Sequence, residues 1–256
     1  MEITEHITAV GQEAKLFAQA AEQGGLDVDI PSCPGWDMRE LVRHLSEIHL
    51  WAAAHVAQPH DKPWVDDLSE LAVFWPELAV FWPEDEDLVG SYLNTNANLV
   101  NALESAPLDV DSFTFLPAPS PLAMWARRQA HETAVHRFDA ENAAGIESRF
   151  DPVFASDGID EILMAFAPRR DEFPVKSTRT MVVHAHDTGD RWCVTIGPDG
   201  ITTIREDGPA DLTLTGDASD LYLALWNRGD DSNITITGDM DLLDLWHNNN
   251  RIRWDR

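Results

Sequence analysis

A change of hydrophobic period near residue 150 divides this sequence in two. Up to about residue 145, apolar residues recur every three to four positions; after about residue 150 they alternate or gather in short β-branched runs. A helix buries a stripe of period 3.6 and a strand buries every second side chain, so neither an all-helical nor an all-strand fold fits. The pattern predicts an α+β protein: a helical bundle over 1–148, then a small α+β domain over 149–256.

The first part reads as four amphipathic helices. Residues 3–23 carry Ile3, Ile7, Val10, Ala14 and Phe17 at helical spacing, and Gly24-Gly25 ends the run. A loop follows from Pro31 to Trp36. Asp37 is then placed to cap a second helix, with Glu40 as its capping-box partner, and Leu41, Leu45, Ile48 and Ala52 carry it to about Ala57. A third helix, 85–105, aligns Leu88, Tyr92, Leu99 and Leu103. A fourth opens at Ser120-Pro121 and stops at Gly145. Together they suggest a four-helix bundle. Between the second and third, LAVFWPE occurs twice in succession, at 71–77 and 78–84, and Pro76 and Pro83 break any continuous helix there. The doubling reads as a tandem duplication in a surface connection; an apolar flap or a subunit contact is the other reading.

In the second part, 159–167 reads as a short helix. Strands are expected at 180–186, 191–196, 200–205, 210–215 and 233–237, punctuated by Asp- and Gly-rich turns, with helices at 219–226 and 240–248. His184 and His186 would share one face of their strand as two exposed histidines.

Charge and cysteine content narrow the function. A formal charge of −27 repels phosphate backbones and anionic membranes, which argues against a nucleic-acid partner. No apolar run approaches the length of a membrane span, and the first residues show neither the basic start nor the apolar core of a signal peptide, so a cytoplasmic protein is expected. Cys33 and Cys193 form no CxxC pair, which leaves no cysteine zinc site and no disulfide framework. Cys33 is expected to pack at the mouth of the bundle and Cys193 in a strand core.

One constellation carries chemistry. Glu132 and His136, four apart, project from one face of the fourth helix, and Trp125 lies two turns earlier on nearly the same face. His44 shares the stripe of Leu41, Ile48 and Ala52, so it points into the bundle. Two imidazoles and one carboxylate leave a fourth position open, as a catalytic zinc requires, although iron(II) and nickel(II) accept the same donors. Asp139, one turn beyond His136, can orient a ligand imidazole. His131-Glu132 begins like the HExxH zinc motif, but His131 and His136 are five apart and diverge by more than a right angle. On spacing alone, each histidine reads equally well as a core residue with a satisfied hydrogen bond.

The stretch Pro31-Ser32-Cys33-Pro34-Gly35-Trp36-Asp37, followed by Leu41-Val42-Arg43-His44-Leu45, resembles a motif of the mycothiol-dependent maleylpyruvate isomerase family. So does Arg127-Arg128-Gln129-Ala130-His131-Glu132-Thr133-Ala134-Val135-His136-Arg137-Phe138-Asp139-Ala140. The resemblance implies a DinB-like metal-binding bundle whose ligands fall on His44, Glu132 and His136. It also implies a sterol-carrier-like C-terminal domain, most similar over 211–215 and 221–228, where Arg228 matches an arginine that reaches the active site, although by its own position Arg228 reads equally as a solvated residue at a helix end. The doubled LAVFWPE segment departs from the family's pattern. The cofactors implied are Zn2+ or another divalent metal, with mycothiol as thiol cosubstrate; the partners are that thiol and an electrophilic substrate. The reaction expected is thiol transfer or thiol-assisted isomerisation. A metal-dependent hydrolase and a non-catalytic metal- or lipid-binding protein are the alternatives, and both a monomer and a homodimer are compatible with the sequence.

Overall fold

The structure, a computed structural model, describes residues 1–57, 83–169 and 173–250. The doubled LAVFWPE segment lies outside the described residues apart from Pro83 and Glu84. The chain forms two compact units, Met1–Ser148 and Arg149–Arg256, and the architecture is α+β. No helix among the described residues is long and apolar enough to cross a membrane.

The N-terminal unit is built from α1 (Ile3–Gly24), α2 (Met38–Ala57), α3 (Asp85–Ser105) and α4 (Pro121–Ala143). Local chemistry sets their ends. Asp37 Oδ1 accepts from the Glu40 amide at 2.8 Å while Glu40 Oε2 accepts from the Asp37 amide at 3.0 Å, a reciprocal capping box that starts α2. Ser120 Oγ accepts from the Ala123 amide at 3.2 Å and Pro121 fills the first turn of α4. Phe17, Leu41, Leu45, Leu88 and Tyr92 meet in one apolar cluster that joins α1, α2 and α3, with Ala140 reaching it from α4.

One expectation fails here in an informative way: α4 is not amphipathic. Every residue from Arg128 to Glu141 is buried, the charged ones included. Most of its charged groups find partners within the bundle. Arg128 Nη2 donates to Glu132 Oε2 at 2.8 Å, and Arg137 donates to Glu13 at 2.8 Å and to Glu141 at 3.1 Å. A helix in this position needs partners more than it needs an apolar stripe.

The C-terminal unit holds a five-stranded sheet of order β3-β2-β1-β4-β5: β1 (Arg179–Ala185), β2 (Arg191–Gly197), β3 (Gly200–Ile204), β4 (Leu212–Gly216) and β5 (Thr235–Gly238). The pairings are antiparallel except for β1 with β4, where Val183 lies beside Leu214. Met181, Val183, Trp192, Val194, Leu212 and Leu214 bury one face. On that face Trp192 Nε1 donates to Asp160 at 2.7 Å and Thr203 Oγ1 donates to the Leu163 carbonyl at 2.8 Å. Helices α6 (Ala218–Leu225) and α7 (Met240–Asn249) complete the unit.

Two corrections belong to this half. The helix expected at 159–167 starts earlier, as α5 (Pro152–Asp160), because Asp151 caps it and Pro152 fills its first turn. It then widens into a π-helix, Glu161–Phe166, and tightens into a 3-10 turn, Ala167–Arg169. The strand expected at 180–186 ends at Ala185, although the His186 amide still donates to the Gly216 carbonyl at 3.0 Å; His186 is exposed, with its Nδ1 3.5 Å from Asp217.

Candidate metal centre

The second and fourth helices bring three donors to one point. His44 comes from the middle of α2, and Glu132 and His136 from successive turns of α4. Glu132 Oε1 lies 3.2 Å from His136 Nε2 and 3.6 Å from His44 Nε2, and the three ligand atoms lie within 4.8 Å of one another. Two donors each about 2.1 Å from a tetrahedral zinc would be about 3.4 Å apart, so the spacing suits an ion among them. The two imidazoles meet edge to face, with ring centroids 5.1 Å apart.

The carboxylate divides its two oxygens between different tasks. Oε2 accepts from Arg128, while Oε1 faces the imidazoles, buried and without a hydrogen-bond partner among the described residues. A buried anionic oxygen left unsatisfied between two nitrogen donors fits a cation. The donor set and that oxygen together pass the test for a divalent metal.

Protonation in the metal-free protein shows the same demand for positive charge. Burial would raise the Glu132 pKa, but His136, His44 and Arg128 outweigh it and hold the carboxyl well below its usual range. Burial also opposes charge on His136, yet Asp139 and Glu132 push its pKa up to about 9. His44 is pushed down, chiefly by burial. A proton on His136 thus occupies the place that a metal would contest.

Around the donors lies a layer of positioning contacts. His136 Nδ1 donates to Asp139 Oδ2 at 2.8 Å, which turns Nε2 toward Glu132 and His44. Asp139 is fully buried. Trp36 packs edge-on against His44, with centroids 4.9 Å apart. Side-chain exposure is 12% at His44 and 2% at His136, so solvent reaches the centre from the α2 side. Behind it, His49 Nε2 lies 3.0 Å from Thr133 Oγ1, whose own hydroxyl donates to the Gln129 carbonyl; His49 is therefore the Nε2–H tautomer. Further along α2 and α4, His55 stacks on Trp125 at 4.8 Å and Trp51 meets it edge-on at 4.9 Å.

The residues singled out by helical spacing, His44, Glu132, His136 and Asp139, are thus neighbours. Cys33 is buried with its Sγ 3.7 Å from Asp139 Oδ2, and Cys193 is buried on β2. Arg228 lies just beyond α6 in the C-terminal unit, where its Nη1 donates to the Trp226 carbonyl at 3.1 Å. Sequence reasoning gave no role to Arg128, Ser32 or His49. Arg128 had a signal, since it stands four residues before Glu132 on the same helix. Ser32 and His49 act through contacts with other elements and had none.

The chain is similar to known proteins in both of its parts. The family model for the mycothiol maleylpyruvate isomerase N-terminal domain matches residues 7–141, and the model for the C-terminal domain of the same family matches 154–245. The fold is shared with the crystal structure of the mycothiol-dependent maleylpyruvate isomerase, which is 15% identical, with a TM-score of 0.62 over 93% of each chain. A histidine-to-alanine mutant of that enzyme aligns with a TM-score of 0.61 at 11% identity, again over 93% of each chain. No curated protein matches the chain. Two family models in the right order, the first spanning more than half of the sequence, place this chain in the mycothiol-dependent maleylpyruvate isomerase family.

Proposed function

We propose that the chain is a metal-dependent thiol transferase or isomerase, with mycothiol as the small thiol and an electrophilic small molecule as substrate. The single observation that carries this reading is the unsatisfied Glu132 Oε1, buried between the Nε2 atoms of His136 and His44. A divalent metal, zinc first among them, would supply the positive charge that keeps a thiol ionised near neutral pH, and the thiolate is the form that attacks carbon.

The chain's own residues do the rest. His44, Glu132 and His136 offer three donors and leave one position for an incoming thiol. Arg128 pins Glu132 Oε2, so that Oε1 faces inward without a choice of rotamer. Asp139 keeps the His136 proton on Nδ1. Arg228, the arginine the family resemblance points to, would orient a substrate carboxylate through paired hydrogen bonds. A free small thiol as cosubstrate suits a reducing cytoplasm.

The test is metal content by mass spectrometry on untagged protein, with His44→Ala alongside, followed by turnover of electrophiles with and without mycothiol. About one metal per chain, lost in the variant, and thiol-dependent turnover are expected. A folded wild type that takes up no zinc would overturn the reading. Turnover that proceeds without thiol would replace it with a hydrolase.

A further inference from the structure

The loop before α2 reaches both imidazole ligands, His44 directly through Trp36 and His136 through Asp139, and it does so from a rigid frame. Its backbone closes on itself: the Cys33 amide donates to the Ile30 carbonyl at 3.0 Å, the Trp36 amide to Cys33 at 3.0 Å, and the Ile30 amide to Trp36 at 2.9 Å. Pro31 and Pro34 restrict the unfolded alternatives, and Gly35 takes a left-handed φ of 86° that few other residues adopt. The segment is then tied to the start of α2 by the Met38 amide, which donates to Val28 at 2.9 Å.

Two side chains of this frame reach the centre by separate routes. Ser32 Oγ donates to Asp139 Oδ1 at 2.5 Å, while the other oxygen of Asp139 receives His136 Nδ1 at 2.8 Å. Trp36 sets its ring against His44. Asp139 is fully buried, so its carboxylate depends on hydrogen bonds from neighbouring side chains to hold its orientation. A hydroxyl on its far oxygen fixes the plane of the carboxyl group, and the carboxyl group in turn fixes the imidazole.

We propose that the 30–37 loop is a brace for the metal centre, with Ser32 acting as a positioning residue for His136 through Asp139. The inference rests on the metal reading of the site. It goes beyond that reading by giving metal affinity a determinant that is not a ligand and does not touch one. Ser148 supplies an internal control, because its Oγ also donates to a carboxylate of α4, Glu141 Oε2, at 2.5 Å, but that carboxylate leads to Arg137 and not to a ligand.

The experiment compares full-length wild type with Ser32→Ala, Ser32→Thr, Asp139→Asn and Ser148→Ala. Zinc affinity is read by chelator competition, and ligand geometry by the visible spectrum of the cobalt-loaded chain. Loss of an outer partner of a ligand histidine weakens binding by about 10- to 100-fold, so Asp139→Asn should fall in that range and Ser32→Ala near its lower end, roughly 10-fold. Ser32→Thr should recover most of the loss, and Ser148→Ala should bind like wild type. A second readout needs no metal: the Nδ1 proton of His136 in the metal-free chain should shift in Ser32→Ala and stay in place in Ser148→Ala. Zinc affinity and a His136 proton unchanged in Ser32→Ala would overturn the brace while leaving the metal site intact. Equal weakening by Ser32→Ala and Ser148→Ala would overturn it too, by showing a general loss of packing. A wild type that binds no zinc would instead overturn the metal reading beneath it.

Discussion

Replacing Glu132 by Gln separates the two roles of that side chain, and the size of each can be worked out. In the metal-free protein the carboxylate is 8% exposed and lies 2.8 Å from Arg128, 3.2 Å from His136 and 3.6 Å from His44. Removing one partner of a buried ion pair costs about 3–5 kcal/mol. The amide oxygen of Gln keeps a hydrogen bond to Arg128, which returns about 1–1.5 kcal/mol. The net loss is roughly 2–3 kcal/mol, and at about 3 °C per kcal/mol for a unit of this size, Tm should fall by about 6–9 °C. Zinc at a hundred times its Kd adds about 2.7 kcal/mol to a protein that binds it and nothing to one that does not. The wild type should therefore gain a further 8 °C or so with zinc, while Glu132→Gln gains none. Calorimetry in chelator and in zinc, with metal content measured on the same samples, reads both effects. A variant that still holds one zinc per chain and still shows the zinc-induced rise would refute Glu132 as a ligand. A variant as stable as wild type in chelator would refute the claim that the ionic cluster supports the metal-free fold.

Other perturbations test separate parts of the account. Changing the pair together, Arg128→Met with Glu132→Leu, should be more stable in chelator than Glu132→Gln alone, because no buried charge is left unpartnered; denaturant titration of both would show the reverse order if the reasoning is wrong. His49 is held neutral by burial, its pKa pushed down to about 3. The unfolded chain binds that proton below about pH 6.5 and the folded chain does not, so stability falls as pH drops through this window, by about 2.5 kcal/mol between pH 6 and pH 4. Denaturation of metal-free wild type and His49→Gln across that range should show a shallower loss in the variant, and equal slopes would refute the assignment. Ser120→Ala removes the cap on the Ala123 amide and should cost α4 about 1 kcal/mol, measured by urea unfolding. Gly238→Ala would place a Cβ 2.1 Å from the Asp211 carbonyl oxygen at a φ of 107°, so the C-terminal unit should lose about 3 kcal/mol or more; a mild effect would mean that the β4–β5 edge is softer than drawn.

Much of the bundle was legible because its helix ends are written in local chemistry. Asp37 with Glu40 and Ser120 with Pro121 mark starts that need no tertiary knowledge, and the observed helices begin there. Asp151-Pro152 carries the same kind of signal for α5, but the apolar periodicity begins only at Ile159, so periodicity alone starts the helix too late. The π-helix at Glu161–Phe166 was not legible, since a change of hydrogen-bond step leaves no residue signature. The stripe containing His44 pointed inward, and the i, i+4 relation joined Glu132 to His136. Ser32 and His49 could not be found that way, because one serves Asp139 107 positions away and the other meets Thr133 across 84.

The polarity of α4 is the point where fold and function meet. A helix chosen only for stability, buried on every side, would be apolar, and this one carries Arg128, His131, Glu132, His136, Arg137, Asp139 and Glu141 in its buried run. Such a composition survives because the charges are matched: Arg128 with Glu132, Arg137 with Glu13 and Glu141, His136 with Asp139. Charge matching with Arg128 alone does not explain why Glu132 gives that guanidinium only one oxygen and turns the other toward two imidazoles. A structural ion pair would gain by turning both oxygens to Arg128 in a bidentate contact. Holding one back, aimed at two imidazole nitrogens, makes sense for a chain that binds a cation there, and the stability given up in the metal-free state is recovered when the ion arrives.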